Sequence, residues 1–117
     1  MHDIRNRAQF IGTLEADPEI VPEKDGGSVA KLVVACEDDF LKNDGTRSVQ
    51  HIGMEVPVDA GNEDLLTQIQ GLAKGAFVGV EAKLVNGRWT DSAGREHLEL
   101  KIAATSVSEM DDLGPKA

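Results

Sequence analysis

The stretch Lys74–His97, KGAFVGVEAKLVNGRWTDSAGREH, decides the fold, because it predicts two strands joined by a polar turn. Apolar residues alternate along its first arm, as they do in a strand with one buried face. Asn86-Gly87 and Ser92-Ala93-Gly94 supply the residue types that tight turns favour. Trp89, the only tryptophan, is expected where the second strand begins. A tryptophan on a projecting hairpin favours stacking on nucleic-acid bases; packing against its own barrel is the alternative.

Outside this stretch, the sequence predicts an all-β domain with one helix. Asn62 is the predicted N-cap of the helix, Ile69 lies on its apolar face, and Gly75 is its predicted C-cap. Five strands with a helix between the third and the fourth is the order of an OB-fold, a five-stranded Greek-key barrel. The predicted strands lie at residues 7–15, 28–36, 47–56, in the first arm above and at 96–102, with a short edge segment at 19–22 and a loop at 37–46.

Length and composition limit the class of protein. The 117 residues predict one domain, residues 1–108, followed by a short acidic tail at 109–117 that is expected to be disordered. The net charge of −9 argues against an indiscriminate binder of polyanions, because phosphate attraction normally supplies most of the affinity. The lone Cys36 is interpreted as a small buried hydrophobe. No apolar run reaches the roughly 20 residues of a membrane span, so a soluble, cytoplasmic protein without membrane contact is expected.

A set of short motifs then resembles a known family. They include Gly12-x-Leu14-x-x-Asp17-Pro18-Glu19, Gly26-Gly27-x-Val29-Ala30 and Trp89-Thr90-Asp91-x-x-Gly94, together with His51 and Lys74-Gly75. In this order and at this spacing, the chain resembles the bacterial single-stranded DNA-binding protein family over about residues 6–105. The resemblance implies an OB-fold that binds single-stranded DNA without sequence specificity, in replication, recombination or repair in a bacterial cytoplasm and nucleoid.

The resemblance also implies which residues contact DNA. Trp89 matches a stacking tryptophan of the family, and Phe40 lies where another is expected. Gln50 and Val56 lie where the family carries further aromatic residues, so two stacking platforms are expected to be missing, at roughly 1–3 kcal/mol per base. The expected DNA-binding residues are Trp89, Phe40, Arg88, Lys74, Arg95, Lys42, Arg47, Arg7 and Arg5.

Self-association is expected because an open barrel leaves strand edges unpaired. Gln9, Ile11 and Thr13 are predicted to line such an edge, and the resemblance places His51 at a subunit interface. A homotetramer is favoured over a homodimer. Replication or repair proteins are further candidate partners.

The residues do not indicate an enzyme, a cofactor or a metal site. No histidine pair has metal-ligand spacing, and the run at residues 37–39 is interpreted as a solvated acidic loop. An OB-fold protein-interaction module with weak or no DNA binding, similar to the primosomal replication protein, is the alternative function. A hydrolase that uses the acidic loop is the least favoured hypothesis.

Overall fold

The computed structural model describes residues 6–110, except for the side chain of Asp39. Arg5 and the tail residues 111–117 therefore lie outside the described residues, and the predictions for them stay predictions. Six strands and one helix follow each other along the chain: β1 (Ala8–Leu14), β2 (Glu19–Pro22), β3 (Ser28–Leu41), β4 (Arg47–Val58), α1 (Glu63–Gln70), β5 (Phe77–Thr90) and β6 (Glu96–Glu109).

The sheet closes into a five-stranded barrel in the order β1-β5-β6-β4-β3-β1, with β2 beside β3. The closure uses Thr13 and Leu14 of β1, which pair with β3. Gly12 allows β1 to cross so close to β3, because a Cβ at this position would lie 2.1 Å from the carbonyl oxygen of Ala35. Together with the single described helix between β4 and β5, this closed barrel confirms the predicted OB-fold.

Alternate residues of each barrel strand fill one core, and α1 covers it. Val34, Val56 and Val78 are completely buried, as is Ile69 of α1. The helix begins as predicted, since the Asn62 side chain accepts a hydrogen bond from the amide of Leu65. It ends earlier than predicted. Its C-cap is Gly71. Gly75 lies in the following connection with a positive φ of 92°, and its amide donates a hydrogen bond to the carbonyl oxygen of Leu14.

Two segments that were not predicted as strand belong to strands. The predicted loop at residues 37–46 is wrong in its first half, because β3 continues through a bulge to Leu41 and the turn covers only residues 42–46. The last strand does not stop at Ile102 but runs to Glu109, which pairs with Val78. In both places a neighbouring strand supplies hydrogen bonds that local composition does not reveal.

The β5–β6 hairpin also differs from the sequence prediction. Asn86 and Gly87 lie inside β5, the turn is at residues 91–95, and Trp89 lies at the end of the first strand rather than at the start of the second. Gly87 makes room for a side chain, since a Cβ there would lie 2.9 Å from Cε of Lys101. Among the described residues, no helix is long and apolar enough to cross a membrane.

Candidate nucleic-acid interface

Both long hairpins project from the same end of the barrel. β4 and β6 run parallel and pair at Glu55 and Ala103. Before that pairing, β4 has eight residues from Arg47 (55 − 47) and β6 has seven from Glu96 (103 − 96). At about 3.3 Å per residue, each strand rises roughly 25 Å from the shared pairing to its hairpin tip. The β3–β4 and β5–β6 tips therefore extend in the same direction and can flank one bound strand.

Trp89 lies on the outer face of the β5–β6 hairpin. Ala82 is buried in the barrel, and from Ala82 to Thr90 the pairing of β5 with β6 continues without a shift. Since successive side chains of a strand alternate between faces, residues 83, 85, 87 and 89 face outward. The indole is 51% exposed. The alternative that this ring packs against its own barrel is therefore wrong.

A histidine covers one face of that indole. His97 pairs directly with Trp89 across the hairpin, and the two rings stack with centroids 4.4 Å apart and planes inclined by 17°. The exposure that remains leaves the other side of the indole to solvent. A single base can therefore stack on this side of the indole and form a stack of three rings with Trp89 and His97.

The carboxylate of Asp91 holds both the turn and the histidine. Oδ1 accepts hydrogen bonds from the amides of Ala93 and Arg95, each at 2.9 Å, and Oδ2 lies 2.7 Å from Nε2 of His97. The bond to His97, followed by the amide of Arg95, lowers the pKa of Asp91 from its ordinary value. Because the ionised carboxylate only accepts, Nε2 of His97 carries the donated proton. Asp91, His97 and Trp89 thus form one connected unit, here called the Trp89 stack.

Two lysines share the outer face with the Trp89 stack. By the same alternation, Lys83 and Lys101 point to this side of the hairpin. The ammonium of Lys101 lies 3.8 Å from the carboxylate of Glu55 on β4. In the register of β3 with β4, Glu55 lies opposite Lys31, which is exposed. The outer surface between β5 and β3 therefore carries three lysines with carboxylates interspersed, among them Glu55 and Glu99.

Three arginines of the predicted site already have partners within the chain. Arg88 lies on the opposite face from Trp89, where its guanidinium is 3.0 Å from Glu96. Arg7 is 3.9 Å from Glu81. Arg47 donates to the carbonyl oxygen of Asp38 at 3.1 Å.

The other predicted cations are spread along the exposed loops. Lys42 and Arg95 belong to the turns at the two hairpin tips, and both are exposed. Lys74 follows α1, where its amide donates to Oδ1 of Asp17 at 2.8 Å. The structure thus brings Lys42 and Arg95 to the hairpin end of the barrel and leaves Lys74 in the connection between α1 and β5.

The remaining aromatic positions differ in accessibility. Phe40 on β3 is 66% exposed and can offer a ring to a base. Gln50 on β4 is exposed, and the expected loss of a stacking platform at this position stays a prediction. Val56 is completely buried. The interpretation of Val56 as a lost stacking platform is therefore wrong, because its side chain belongs to the core.

The predicted interface residues lie on the outside of the barrel. Gln9, Ile11 and Thr13 are exposed on β1, whose residues 8–13 pair with β5. Pairing with β3 is confined to Thr13 and Leu14, so the edge of β1 before Thr13 has no strand beside it in the described part of the chain. His51 is exposed on β4, with Nδ1 2.6 Å from the carboxylate of Glu15.

Little in the described residues suggests other chemistry. Within residues 6–110 no three His, Cys, Asp or Glu side chains are grouped to hold a metal ion. Cys36 is partly buried, and burial raises the pKa of its thiol, so the thiol form is favoured.

The expected DNA-binding residues did not include His97, Asp91, Lys83 or Lys101. The signal for His97 was the hairpin register: once the turn is set at residues 91–95, Trp89 and His97 are opposite each other. The register of β4 with β6 brings Glu55 to Lys101, and this long-range pairing has no local signal.

Comparisons with known proteins point in one direction. The sequence model of the Single-strand binding protein family matches residues 5–110. The chain is 27% identical over 109 residues to the single-stranded DNA-binding protein of Wolinella succinogenes and 31% identical over 112 residues to single-stranded DNA-binding protein 1 of Xylella fastidiosa. It is 26% identical over 110 residues to the single-stranded DNA-binding protein of Deinococcus radiodurans. These matches cover 93%, 95% and 94% of the chain, and 66%, 79% and 36% of the respective relatives.

Proposed function

The chain belongs to the single-strand binding protein family, and we propose that it binds single-stranded DNA without sequence specificity. The observation that carries this proposal is the half-exposed indole of Trp89, which faces outward from a projecting hairpin with one side covered by His97. Every base has a π-face, so stacking on such a ring is tolerant of sequence. The mechanism is passive: bases leave their own stack for the protein rings, and no covalent bond changes.

Phosphate contacts supply the second part of the proposed affinity. Lys83 and Lys101 lie on the outer face of the hairpin, between Trp89 and the barrel, where they can contact phosphates of a strand that leaves Trp89. Lysines that neutralise phosphates release counterions, so binding weakens as salt rises. The net charge of −9 and the pairing of Lys101 with Glu55 oppose this attraction. We therefore expect modest affinity with a marked dependence on salt.

The proposal includes self-association, with a homotetramer favoured over a homodimer. Two features support it: the edge of β1 that lacks a neighbouring strand, and the exposed apolar side chains of Ile11 and Val33 on the outer face. A second copy can satisfy both. Replication, recombination or repair in the bacterial cytoplasm and nucleoid is the proposed setting, with replication or repair proteins as candidate partners.

Fluorescence titration tests the proposal, because Trp89 is the only tryptophan and reports on its own contacts. Addition of oligo(dT) at low salt should quench its emission, and raising the salt should reverse the quenching. Double-stranded DNA of the same length is the control and should quench far less. The absence of quenching by oligo(dT) at low salt contradicts the proposal and favours the protein-interaction module.

A further inference from the structure

The contacts of His97 with Trp89 and Asp91 indicate a role for this histidine beyond what base stacking requires. A solitary indole on a hairpin turns about its side-chain bonds and must be ordered when a base arrives, which costs affinity. Here the ring is already held against a second ring, which is itself held by Asp91 at 2.7 Å. The three residues come from β5, the turn and β6, so the hairpin register fixes their arrangement.

We propose that His97 is the positioning residue of Trp89: together with Asp91, it holds the indole ready to receive a base, and its protonation strengthens DNA binding. The inference rests on the proposed function and extends it. Histidine side chains change charge between about pH 5 and 8. An imidazolium under the indole adds a cation–π attraction within the stack and a positive charge beside the DNA backbone.

The charged groups that face His97 are few. Asp91 from the turn makes the direct contact, the exposed Arg95 lies opposite Asp91 two residues before His97, and Glu99 lies on the same outer face two residues along β6. Opposite these residues, β5 presents Trp89 and Gly87, neither of which titrates near neutral pH. Lys101 lies further along this face and is engaged with Glu55.

The pair formed by Arg88 and Glu96 belongs to the other face of the hairpin. With a neutral His97, the Trp89 stack carries the negative charge of Asp91. Protonation of His97 therefore makes the stack neutral as a whole. This change removes the local repulsion between the stack and a phosphate.

Two substitutions separate positioning from charge. His97→Gln removes both the ring and its titration, whereas His97→Phe keeps a ring against the indole without titration. Ser92→Ala, at the exposed tip of the same turn, is the matched control. Circular dichroism and thermal unfolding of each variant check that the barrel is intact.

The first readout is the emission of Trp89 in the free protein, since an imidazolium in contact with an excited indole quenches it. Emission of the unsubstituted protein and of Ser92→Ala should fall between about pH 8 and pH 5.5, whereas both His97 variants should show a flat profile. A His97→Gln profile identical to that of the unsubstituted protein overturns the inference.

The second readout is affinity for labelled oligo(dT), measured by fluorescence anisotropy at both pH values. The unsubstituted protein should bind about two- to fivefold more tightly at the lower pH. His97→Gln should weaken binding about two- to tenfold at the higher pH, and His97→Phe should retain that affinity without the response to pH.

Equal affinity of His97→Gln and the unsubstituted protein at both pH values overturns the inference while DNA binding stands. If the unsubstituted protein does not bind oligo(dT) at all, the proposed function fails and the inference fails with it. The two failures are therefore distinguishable.

Discussion

Glu55 on β4 lies 3.8 Å from the ammonium of Lys101 on β6, on the outer face that also carries Trp89. The carboxylate of Glu55 pairs with the ammonium of Lys101, which is then less available to a phosphate of the DNA. We expect Glu55→Gln to bind oligo(dT) about two- to fivefold more tightly, the range typical of one exposed charge pair. Its affinity should also fall more steeply with salt, because one more counterion is released.

Glu63→Gln at the start of α1 is the control for Glu55→Gln, since it removes the same charge away from the hairpins. Binding isotherms at several salt concentrations compare the two variants. An equal gain in both would show that net charge matters and that the contact between Glu55 and Lys101 does not.

Gln50 and Val56 should respond in opposite ways to the introduction of an aromatic residue. Gln50 is exposed, so Gln50→Trp adds a stacking platform and should strengthen oligo(dT) binding by up to about 1–3 kcal/mol. Val56 is completely buried, so Val56→Phe should leave affinity unchanged and lower the free energy of unfolding by about 1–3 kcal/mol through overpacking. Anisotropy and urea unfolding measure the two effects. Tighter binding by Val56→Phe would contradict the buried position of this side chain.

Gly12 should be intolerant of any side chain. A Cβ at Gly12 would lie 2.1 Å from the backbone oxygen of Ala35, at the point where β1 closes the barrel. Gly12→Ala should therefore lower the free energy of unfolding by about 1–3 kcal/mol or more. Gly53→Ala on β4 is the matched control, because a Cβ there meets nothing within 4 Å. Similar urea midpoints for the two variants would argue against the closed barrel.

Ile11 tests the proposed self-association. The side chain is 56% exposed beside the edge of β1 that lacks a neighbouring strand, and Ile11→Glu would place a charge in a contact between copies. Light scattering coupled to size exclusion should show a lower mass for this variant. Leu98→Glu, the same introduction of a charge at an exposed leucine of the hairpin, should keep the original mass. A monomeric unsubstituted protein would contradict the edge argument.

Local pattern predicted the order of the elements, because alternation along strands and the N-cap at Asn62 are local signals. It failed where distant partners decide. Asn86-Gly87 has the composition of a turn, yet both residues pair with β6, and Gly87 instead accommodates Lys101. The acidic run at residues 37–39 resembles a loop, but β3 continues beside β4 through a bulge.

The site was predicted in part for the same reason. Trp89 and Phe40 are conspicuous as aromatic residues in hairpins, and both are exposed. Strand alternation, counted from the turn, decides which lysines and arginines share a face with Trp89. The prediction from sequence placed this turn at the wrong residues. Arg88 was therefore favoured although it points away from Trp89, while Lys101 and His97 were not among the expected DNA-binding residues.

The most direct test of the account is the affinity of labelled oligo(dT) for the unsubstituted protein and for Trp89→Ala at low salt. Loss of the stacking ring should weaken binding by about 1–3 kcal/mol, roughly 5- to 150-fold, with an unchanged urea midpoint. Trp89→Phe, which keeps a smaller ring, should fall between the two. Equal affinity of Trp89→Ala and the unsubstituted protein would contradict the claim that single-stranded DNA is bound through Trp89.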